Sequence, residues 1–335
     1  MNKLLKKLFF CILLMSLFVG ISACSGVNQE ASAEDGGRLH IVISVFPVYD
    51  WLVNVLGAES ENVEVTLLVD NGTDLHSFQP SAKDLVEIAD CDLFIYIGGE
   101  SDEWVSEAVS QYENPDRLVI SLIDLLGDAA KTEELVEGMQ EESSGWLSGL
   151  FGGEEEEETD EHVWLSLRNA ALFTAEISEA LSQADPACAD EYAENADGYI
   201  AQLQELDEAY SEAAEDAGTD TLLFADRFAF RYLTDDYGLD YYAAFPGCSA
   251  ETQASFETIL FLAEKLDELG LKYVMLSESG DTDIADTIIE STAAQDAQIL
   301  VLDSMQSVTA KDIAGGTTYL GIMEENLEVL RQALE

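Results

Sequence analysis

Short apolar runs alternate with segments of helical periodicity along most of this chain. In the first half, apolar runs that predict buried strands cover residues 39–45, 63–69, 93–97 and 118–122. In the second half they cover residues 221–225, 241–245, 271–276 and 299–302. Helical patterns between and after them cover residues 48–56, 82–89, 168–183, 228–235, 256–269, 284–294 and 317–334. Alternation of strand and helix implies parallel strands joined by crossover helices, which is an α/β fold.

A much longer helix is predicted between the two halves. It opens near Pro186, a residue that suits a first helical turn, and runs to about Ala217. Apolar residues recur on it at helical spacing, at Tyr199, Leu203 and Tyr210, and predict a packing surface. We therefore expect two α/β domains with parallel sheets, at residues 39–183 and 218–335, joined by one long rigid helix at 184–217, with a cleft between them.

The N-terminus has the features of a secretion signal. Three lysines precede an apolar stretch at residues 8–21, which is too short and too early for a stable membrane span. The stretch ends in Ile21-Ser22-Ala23-Cys24, which resembles the lipobox of bacterial lipoproteins. This resemblance implies a signal peptide at 1–23, a lipid on Cys24, and a tether at 24–38 that holds the protein on the extracytoplasmic face of the cell membrane.

The charge balance is strongly acidic. The chain has 14 lysines and arginines against 68 aspartates and glutamates, for a formal net charge of -54. Such a field repels nucleic acid and attracts cations. Because 47% of the residues are hydrophobic, the chain is not a disordered acidic tail. Without Cys11 and Cys24, three cysteines remain (Cys91, Cys188 and Cys248), and they show no Cys-x-x-Cys spacing.

An acidic, glycine-punctuated insertion is predicted at residues 127–161. Its end is a dense carboxylate run, made of Glu154, Glu155, Glu156, Glu157, Glu158, Asp160 and Glu161. His162 follows directly, in a chain that has only three histidines. Imidazole beside carboxylate suits zinc, manganese and similar divalent ions, and we expect the run to concentrate such cations near the cleft. Trp146 and Phe151, also in the insertion, are expected to be exposed.

Three potential metal ligands lie near predicted strand ends or on loops. His76 lies in the loop after the strand at 63–69, His162 follows the acidic run, and Asp303 ends the last strand. Ligands in open α/β sheets collect at the carboxyl ends of strands, so these residues form a plausible metal-binding set. His40, beside the first strand, is expected to be a packed or surface histidine.

These residues resemble a known family over nearly all of the mature sequence, namely the zinc- and manganese-binding lipoproteins that deliver metal to bacterial ABC importers. The family loop Gly-x-Asp-Pro-His-x-Tyr-x-Pro-Ser corresponds to residues 72–81, with Leu75 in place of the proline and Phe78 in place of the tyrosine. His162-Val163-Trp164-Leu165 and Asp303-Ser304-Met305 match two further ligand segments. The resemblance implies that His76, His162 and Asp303 bind transported Zn2+ or Mn2+. It also implies an ABC permease and its ATPase as partners, and a monomeric binding protein rather than an enzyme.

One position departs from the family. Ten residues before Tyr237-Gly238-Leu239 the family supplies a further histidine or glutamate ligand, whereas this chain has Arg227, which stays protonated and cannot coordinate a cation. In one explanation Arg227 turns away or pairs with a carboxylate, and Asp226 or Glu278 donates the missing oxygen. In a second, His76, His162 and Asp303 hold the metal with water. In a third, Arg227 binds an anion and the cargo is a metal chelate or another solute.

Other functions are weighed against this one. Two histidines and a carboxylate with an open position also describe a zinc-dependent hydrolase, but the chain has no His-Glu-x-x-His, Gly-x-Ser-x-Gly or phosphate-binding glycine loop. A surface interaction protein that uses Trp146 and Phe151 is compatible with metal uptake. Two nitrogens favour zinc as the cargo, whereas additional carboxylates favour manganese.

Overall fold

The computed structural model describes residues 38–111, 114–139, 158–248 and 253–335. The predicted signal peptide, the lipidated Cys24 and nearly all of the tether lie outside the described residues. So do Trp146, Phe151 and four glutamates of the acidic run, Glu154, Glu155, Glu156 and Glu157. The ends of the predicted insertion, up to residue 139 and from residue 158, are described.

A four-stranded parallel sheet forms the first half. Its strands are β1 (His40–Ile43), β2 (Glu64–Leu67), β3 (Leu93–Tyr96) and β4 (Leu118–Ser121), in the order β2-β1-β3-β4. The helices that follow the strands are α1 (Phe46–Leu56), α2 (Ala82–Asp90), α3 (Trp104–Gln111) and α4 (Leu122–Leu126). Ser81 begins α2 with a reciprocal capping box to Asp84, as expected for the residue that precedes this helix.

A second parallel sheet repeats the same strand order. Its strands are β5 (Thr221–Phe228), β6 (Asp240–Pro246), β7 (Tyr273–Ser277) and β8 (Gln298–Leu302), in the order β6-β5-β7-β8. The helices after them are α7 (Arg231–Tyr237), α8 (Phe256–Leu269), α9 (Thr282–Ser291) and α10 (Ala310–Ala314). The two parallel sheets with their helices confirm the α/β fold class predicted from the alternating pattern.

One strand boundary differs from the prediction and matters for the site. We expected the first strand of the second sheet to end at residue 225 and a helix to begin at 228. Instead β5 extends to Phe228 and α7 begins at Arg231. The pairing of β5 with β6 is irregular between Phe224 and Arg227 and then resumes, with Arg227 opposite Phe245. Arg227 is therefore part of the extended strand.

Three helices connect and cover the sheets: α5 (Leu167–Ala184), α6 (Ala189–Glu215) and α11 (Tyr319–Ala333). The long helix that we predicted at residues 184–217 is α6, which begins at Ala189 and not near Pro186, and its 27 residues span about 40 Å. Its predicted apolar stripe is buried, including Tyr199, Leu203 and Tyr210. None of the helices among the described residues has both the length and the apolar character needed to cross a membrane.

The largest apolar core reaches both sheets. It includes Ile41 and Ile43 of β1, Leu222 and Phe224 of β5, and buried side chains of α5, α6 and α11. Within this core the rings of Trp51 on α1 and Tyr319 on α11 meet edge to face, with centroids 5.3 Å apart. Contacts between α1 and α11 therefore link the helices of the two halves through one core.

Candidate metal centre

The first predicted ligand, His76, lies on a short 3₁₀ turn after β2. The turn, Leu75–Ser77, is anchored by the buried side chain of Leu75 and begins at Asp74, whose carboxylate accepts a hydrogen bond from the His76 backbone N–H (3.0 Å). The Nδ1 atom of the His76 ring lies 2.9 Å from Ser101 Oγ and 3.3 Å from Glu161 Oε2. These contacts orient the ring, so that its Nε2 atom points away from the carboxylate.

The second predicted ligand, His162, is fully buried at the start of another 3₁₀ turn, Val163–Leu165. Its Nδ1 atom lies 3.0 Å from Asp160 Oδ1, which also accepts from the His162 backbone N–H. The next segment is held by Trp164, whose Nε1 donates to the carbonyl of Ser304 (2.9 Å), and whose own carbonyl accepts from the hydroxyl of Tyr319 (2.7 Å). His162 is thus fixed between the two halves of the chain.

The two imidazoles face each other. Their Nε2 atoms are 3.3 Å apart, although the sequence separates them by 86 positions. With the ring protons assigned to the Nδ1 atoms that lie beside the carboxylates, both Nε2 lone pairs point into the same space. This arrangement favours a proton or a cation between the two Nε2 atoms. Two nitrogens bound to a tetrahedral zinc ion at about 2.05 Å are about 3.3 Å apart, so the spacing suits zinc.

The surroundings of the imidazoles are strongly anionic. Burial alone lowers the pKa of His162, but the neighbouring carboxylates of Asp160, Glu161 and Glu133 raise it above the ordinary value for histidine. Burial raises the pKa of Glu161, but hydrogen bonds from His76 and Ser101 outweigh that effect and lower it. Negative charge beside two imidazoles favours a cation at their Nε2 atoms.

Gly99 makes room for one of these carboxylates. It has a φ of +84°, and a Cβ atom there would lie 2.5 Å from Glu161 Oε1. The glycine therefore permits both the left-handed backbone and the close approach of the carboxylate that orients His76.

A third potential ligand, Cys248, was not predicted from the sequence. A ring nitrogen of each histidine and the Cys248 Sγ atom all lie within 4.8 Å of one another. Burial raises the pKa of this thiol, as do the carboxylates of Glu133, Asp160 and Glu161. The available signal was a cysteine soon after a predicted strand, at the carboxyl end where ligands collect. Cys91, Cys188 and Cys248 are all free thiols.

Asp303, the third predicted ligand, lies outside this cluster of three side chains. Its Oδ1 accepts from the backbone N–H of Met305, and its backbone is paired with the side-chain amide of Asn326 on α11. It lines an open groove together with Asp312 and Glu325. Burial and the nearby Glu278 raise the pKa of Asp303 to about 6. Metal coordination by Asp303 stays a prediction.

The two carboxylates expected to replace the missing ligand form other contacts. Asp226 is buried, and its Oδ2 accepts from the backbone N–H and the hydroxyl of Ser277. Burial raises the pKa of Asp226 to about 6. Glu278 accepts hydrogen bonds from the backbone N–H groups of the loop at 304–307. In this arrangement both carboxylates stabilise loops, and neither belongs to the cluster with the imidazoles.

Arg227 pairs with a carboxylate, as the first of the three explanations expects. Its guanidinium donates to Asp74 Oδ2, while Asp74 Oδ1 accepts from the His76 backbone. Arg227 therefore supports the turn that presents His76. His40 lies apart from the site, with its Nε2 atom 3.3 Å from Thr66 Oγ1 and 3.4 Å from Glu87 Oε2.

Comparison with known proteins gives consistent matches. The profile of the family described as "Zinc-uptake complex component A periplasmic" matches residues 41–333. The zinc-binding lipoprotein AdcA of Streptococcus pneumoniae is 31% identical over 313 residues, which cover 93% of this chain and 58% of that protein. The high-affinity zinc uptake system protein ZnuA of Bacillus subtilis is 26% identical over 330 residues, 98% of each chain.

A solved structure matches over the same region. The Zn(II)-bound ZnuA-like domain of Streptococcus pneumoniae AdcA superposes with a TM-score of 0.68 at 28% identity, over 89% of this chain and 99% of that domain. This chain thus spans a little over half the length of the AdcA relatives, and it is similar in fold to the ZnuA-like domain of the Streptococcus pneumoniae protein.

Proposed function

Because the chain belongs to the family of periplasmic components A of zinc-uptake complexes, we propose that it is a receptor that captures zinc and delivers it to an ABC-type permease. The observation that carries this proposal is the facing pair of imidazoles. His76 Nε2 and His162 Nε2 lie 3.3 Å apart, and each ring has its Nδ1 beside a buried carboxylate. Carboxylate-oriented histidines are a recurring arrangement at zinc sites.

The two histidines differ in their exposure to solvent. The His162 side chain has no exposed surface, whereas 11% of the His76 side chain is exposed. Zinc therefore reaches His76 from solvent and is held against His162 inside. Asp160 and Glu161 orient the rings and balance the charge of the cargo.

Zinc is favoured over manganese by the same arrangement. The two proposed ligand atoms, His76 Nε2 and His162 Nε2, are nitrogens. The nearest carboxylates already act as hydrogen-bond acceptors for the Nδ1 atoms of the two rings. Manganese prefers carboxylate and water oxygens. A manganese or metal-chelate receptor is therefore the weaker alternative.

The N-terminal sequence and the family support the proposed location and partners. The lipobox-like segment ending at Cys24, and a relative whose name is zinc-binding lipoprotein, support a lipid anchor outside the cytoplasm. The family description, a component of a zinc-uptake complex, supports a membrane permease and its ATPase as partners. The function that we propose is binding and delivery, without catalysis.

A competition titration with a zinc chelator tests the proposed function. We expect one zinc ion per wild-type chain. His76→Ala and His162→Ala each remove a ligand nitrogen, and should weaken zinc affinity by more than the roughly 10- to 100-fold that a partner outside the coordination shell contributes. His40→Ala, the third histidine, is the matched control and should bind as wild type. Unchanged affinity in His76→Ala and His162→Ala would contradict the proposal.

A further inference from the structure

We propose that Cys248 provides a thiolate ligand to the captured zinc ion and replaces the ligand that the family resemblance expects at Arg227. The proposal rests on the zinc-binding function proposed above and specifies its coordination. It assigns a donor set of two nitrogens and one sulfur, contributed by His76, His162 and Cys248.

The distances among the three side chains are close to those of a zinc site. A sulfur at about 2.3 Å and a nitrogen at about 2.05 Å from a tetrahedral zinc ion are about 3.6 Å apart. The Cys248 Sγ atom and the two ring nitrogens already lie within 4.8 Å of one another. The Sγ–nitrogen separation therefore has to shorten by at most about 1.2 Å, which a rotation of the cysteine side chain and a small loop shift can supply.

The strand register explains how Cys248 comes to stand near the substituted position. Arg227 on β5 is opposite Phe245 on the neighbouring strand β6, and Phe228 is opposite Pro246. Gly247 and Cys248 follow the last residue of β6, at the carboxyl ends of the two parallel strands. A ligand lost from one strand is thus replaced from the adjacent one. Arg227 itself is engaged with Asp74, which supports the His76 turn.

Two neighbouring residues, Gly247 and Glu133, place the backbone of Cys248 near the imidazoles. A Cβ atom on Gly247 would lie 2.7 Å from the carbonyl oxygen of Phe228 and 3.1 Å from His162 Cε1, so the backbone passes the ring in contact only because residue 247 is glycine. The backbone N–H of Cys248 donates to Glu133 Oε1 (2.6 Å), in one described end of the acidic insertion. The insertion thereby positions the cysteine.

The chemistry of this donor set is specific. On binding, the thiol proton leaves to solvent and the sulfur lone pair forms the bond to zinc, so zinc binding releases protons. A soft thiolate beside two imidazoles favours zinc over manganese. The guanidinium of Arg227 then has a positioning role and does not block metal binding.

Spectroscopy on the whole protein tests the proposal. With cobalt(II) as probe, wild type should show the near-ultraviolet charge-transfer band of a thiolate bound to cobalt, and zinc-edge X-ray absorption should show a sulfur neighbour at about 2.3 Å. Cys248→Ser should lose both signals and bind zinc at least about 10-fold more weakly. Cys188→Ser, a second partly exposed free cysteine, is the control and should retain them.

A second variant distinguishes loss of a zinc ligand from misfolding of the Cys248→Ser protein. Cys248→His should restore zinc affinity without the sulfur signal, because imidazole is also a zinc ligand. Stoichiometric zinc bound only by nitrogen and oxygen in wild type overturns the cysteine assignment and leaves the proposed function intact. Failure of wild type to bind zinc stoichiometrically overturns both.

Discussion

At the residue scale, two adjacent acids at the end of the carboxylate run orient the two imidazoles. Asp160 contacts His162 Nδ1 and Glu161 contacts His76 Nδ1. Asp160→Asn and Glu161→Gln should each weaken zinc affinity by about 10- to 100-fold, because neutral amides orient the rings less well and do not balance the charge of zinc. Chelator competition measures this effect.

The control for these substitutions is Glu107→Gln, which removes an exposed carboxylate on α3. It should change zinc affinity by less than 2-fold, as expected for an exposed, screened charge that is not one of the carboxylates orienting the imidazoles. Equal effects of Glu107→Gln and Glu161→Gln would show that net charge, and not ring orientation, is what matters.

The sequence predicted part of this site, for a physical reason. His76 and His162 are rare residues on loops that a family pattern marks, so local sequence was sufficient to predict them as ligands, and the structure brings their rings together. The closeness of Cys248 depends on the register of β5 and β6 and on the space that Gly247 leaves, and neither is encoded locally. For the same reason the sequence showed Arg227 as a gap but did not show its pairing with Asp74.

At the element scale, α6 attaches to both halves through buried tyrosines. The hydroxyl of Tyr199 donates to Asp50 Oδ2 on α1 (2.9 Å), and the hydroxyl of Tyr210 donates to the carbonyl of Met323 on α11 (2.7 Å). Tyr199→Phe leaves a buried carboxylate short of one donor, which should lower the free energy of unfolding by about 1.5–3 kcal/mol. Urea denaturation measures this loss, and Tyr49→Phe on α1 is the control.

The loss caused by Tyr199→Phe should depend on pH. Burial raises the pKa of Asp50 in the folded protein, and the Tyr199 hydrogen bond opposes that rise. A carboxyl group whose folded pKa is raised destabilises the fold as pH rises through that pKa, and without Tyr199 this effect is larger. The difference between wild type and variant should therefore be greater at pH 7 than near pH 3. A difference that is independent of pH would contradict the assignment.

The elements themselves were largely predictable, because strand and helix periodicities are local properties of the chain. The end of β5 was not. Its extension to Phe228 depends on pairing with β6 that resumes after an irregularity, which is a tertiary effect. Short helices such as α4 and α10, of five residues each, carry too few periodic positions to be recognised.

At the scale of the whole molecule, the net charge of -54 should accelerate zinc capture. The Debye length falls from about 30 Å at 0.01 M salt to about 3 Å at 1 M, so the association rate measured by stopped flow should fall several-fold over that range. Replacing Glu154, Glu155, Glu156 and Glu157 by glutamine should also slow capture, without changing the zinc stoichiometry.

A matched control separates the acidic run from the total charge. Replacing four exposed glutamates of α6 by glutamine, at Glu191, Glu194, Glu205 and Glu208, removes the same amount of charge from a different segment of the chain. If both sets slow capture equally, the run has no special role as an approach route for cations. A larger effect of the run supports that role.

Zinc-edge anomalous diffraction from crystals of the zinc-loaded protein tests the central claim most directly. The account predicts one strong peak between the facing rings, about 2.0–2.1 Å from His76 Nε2 and His162 Nε2. A peak in the groove of Asp303, Asp312 and Glu325, with the two imidazoles unliganded, would contradict it.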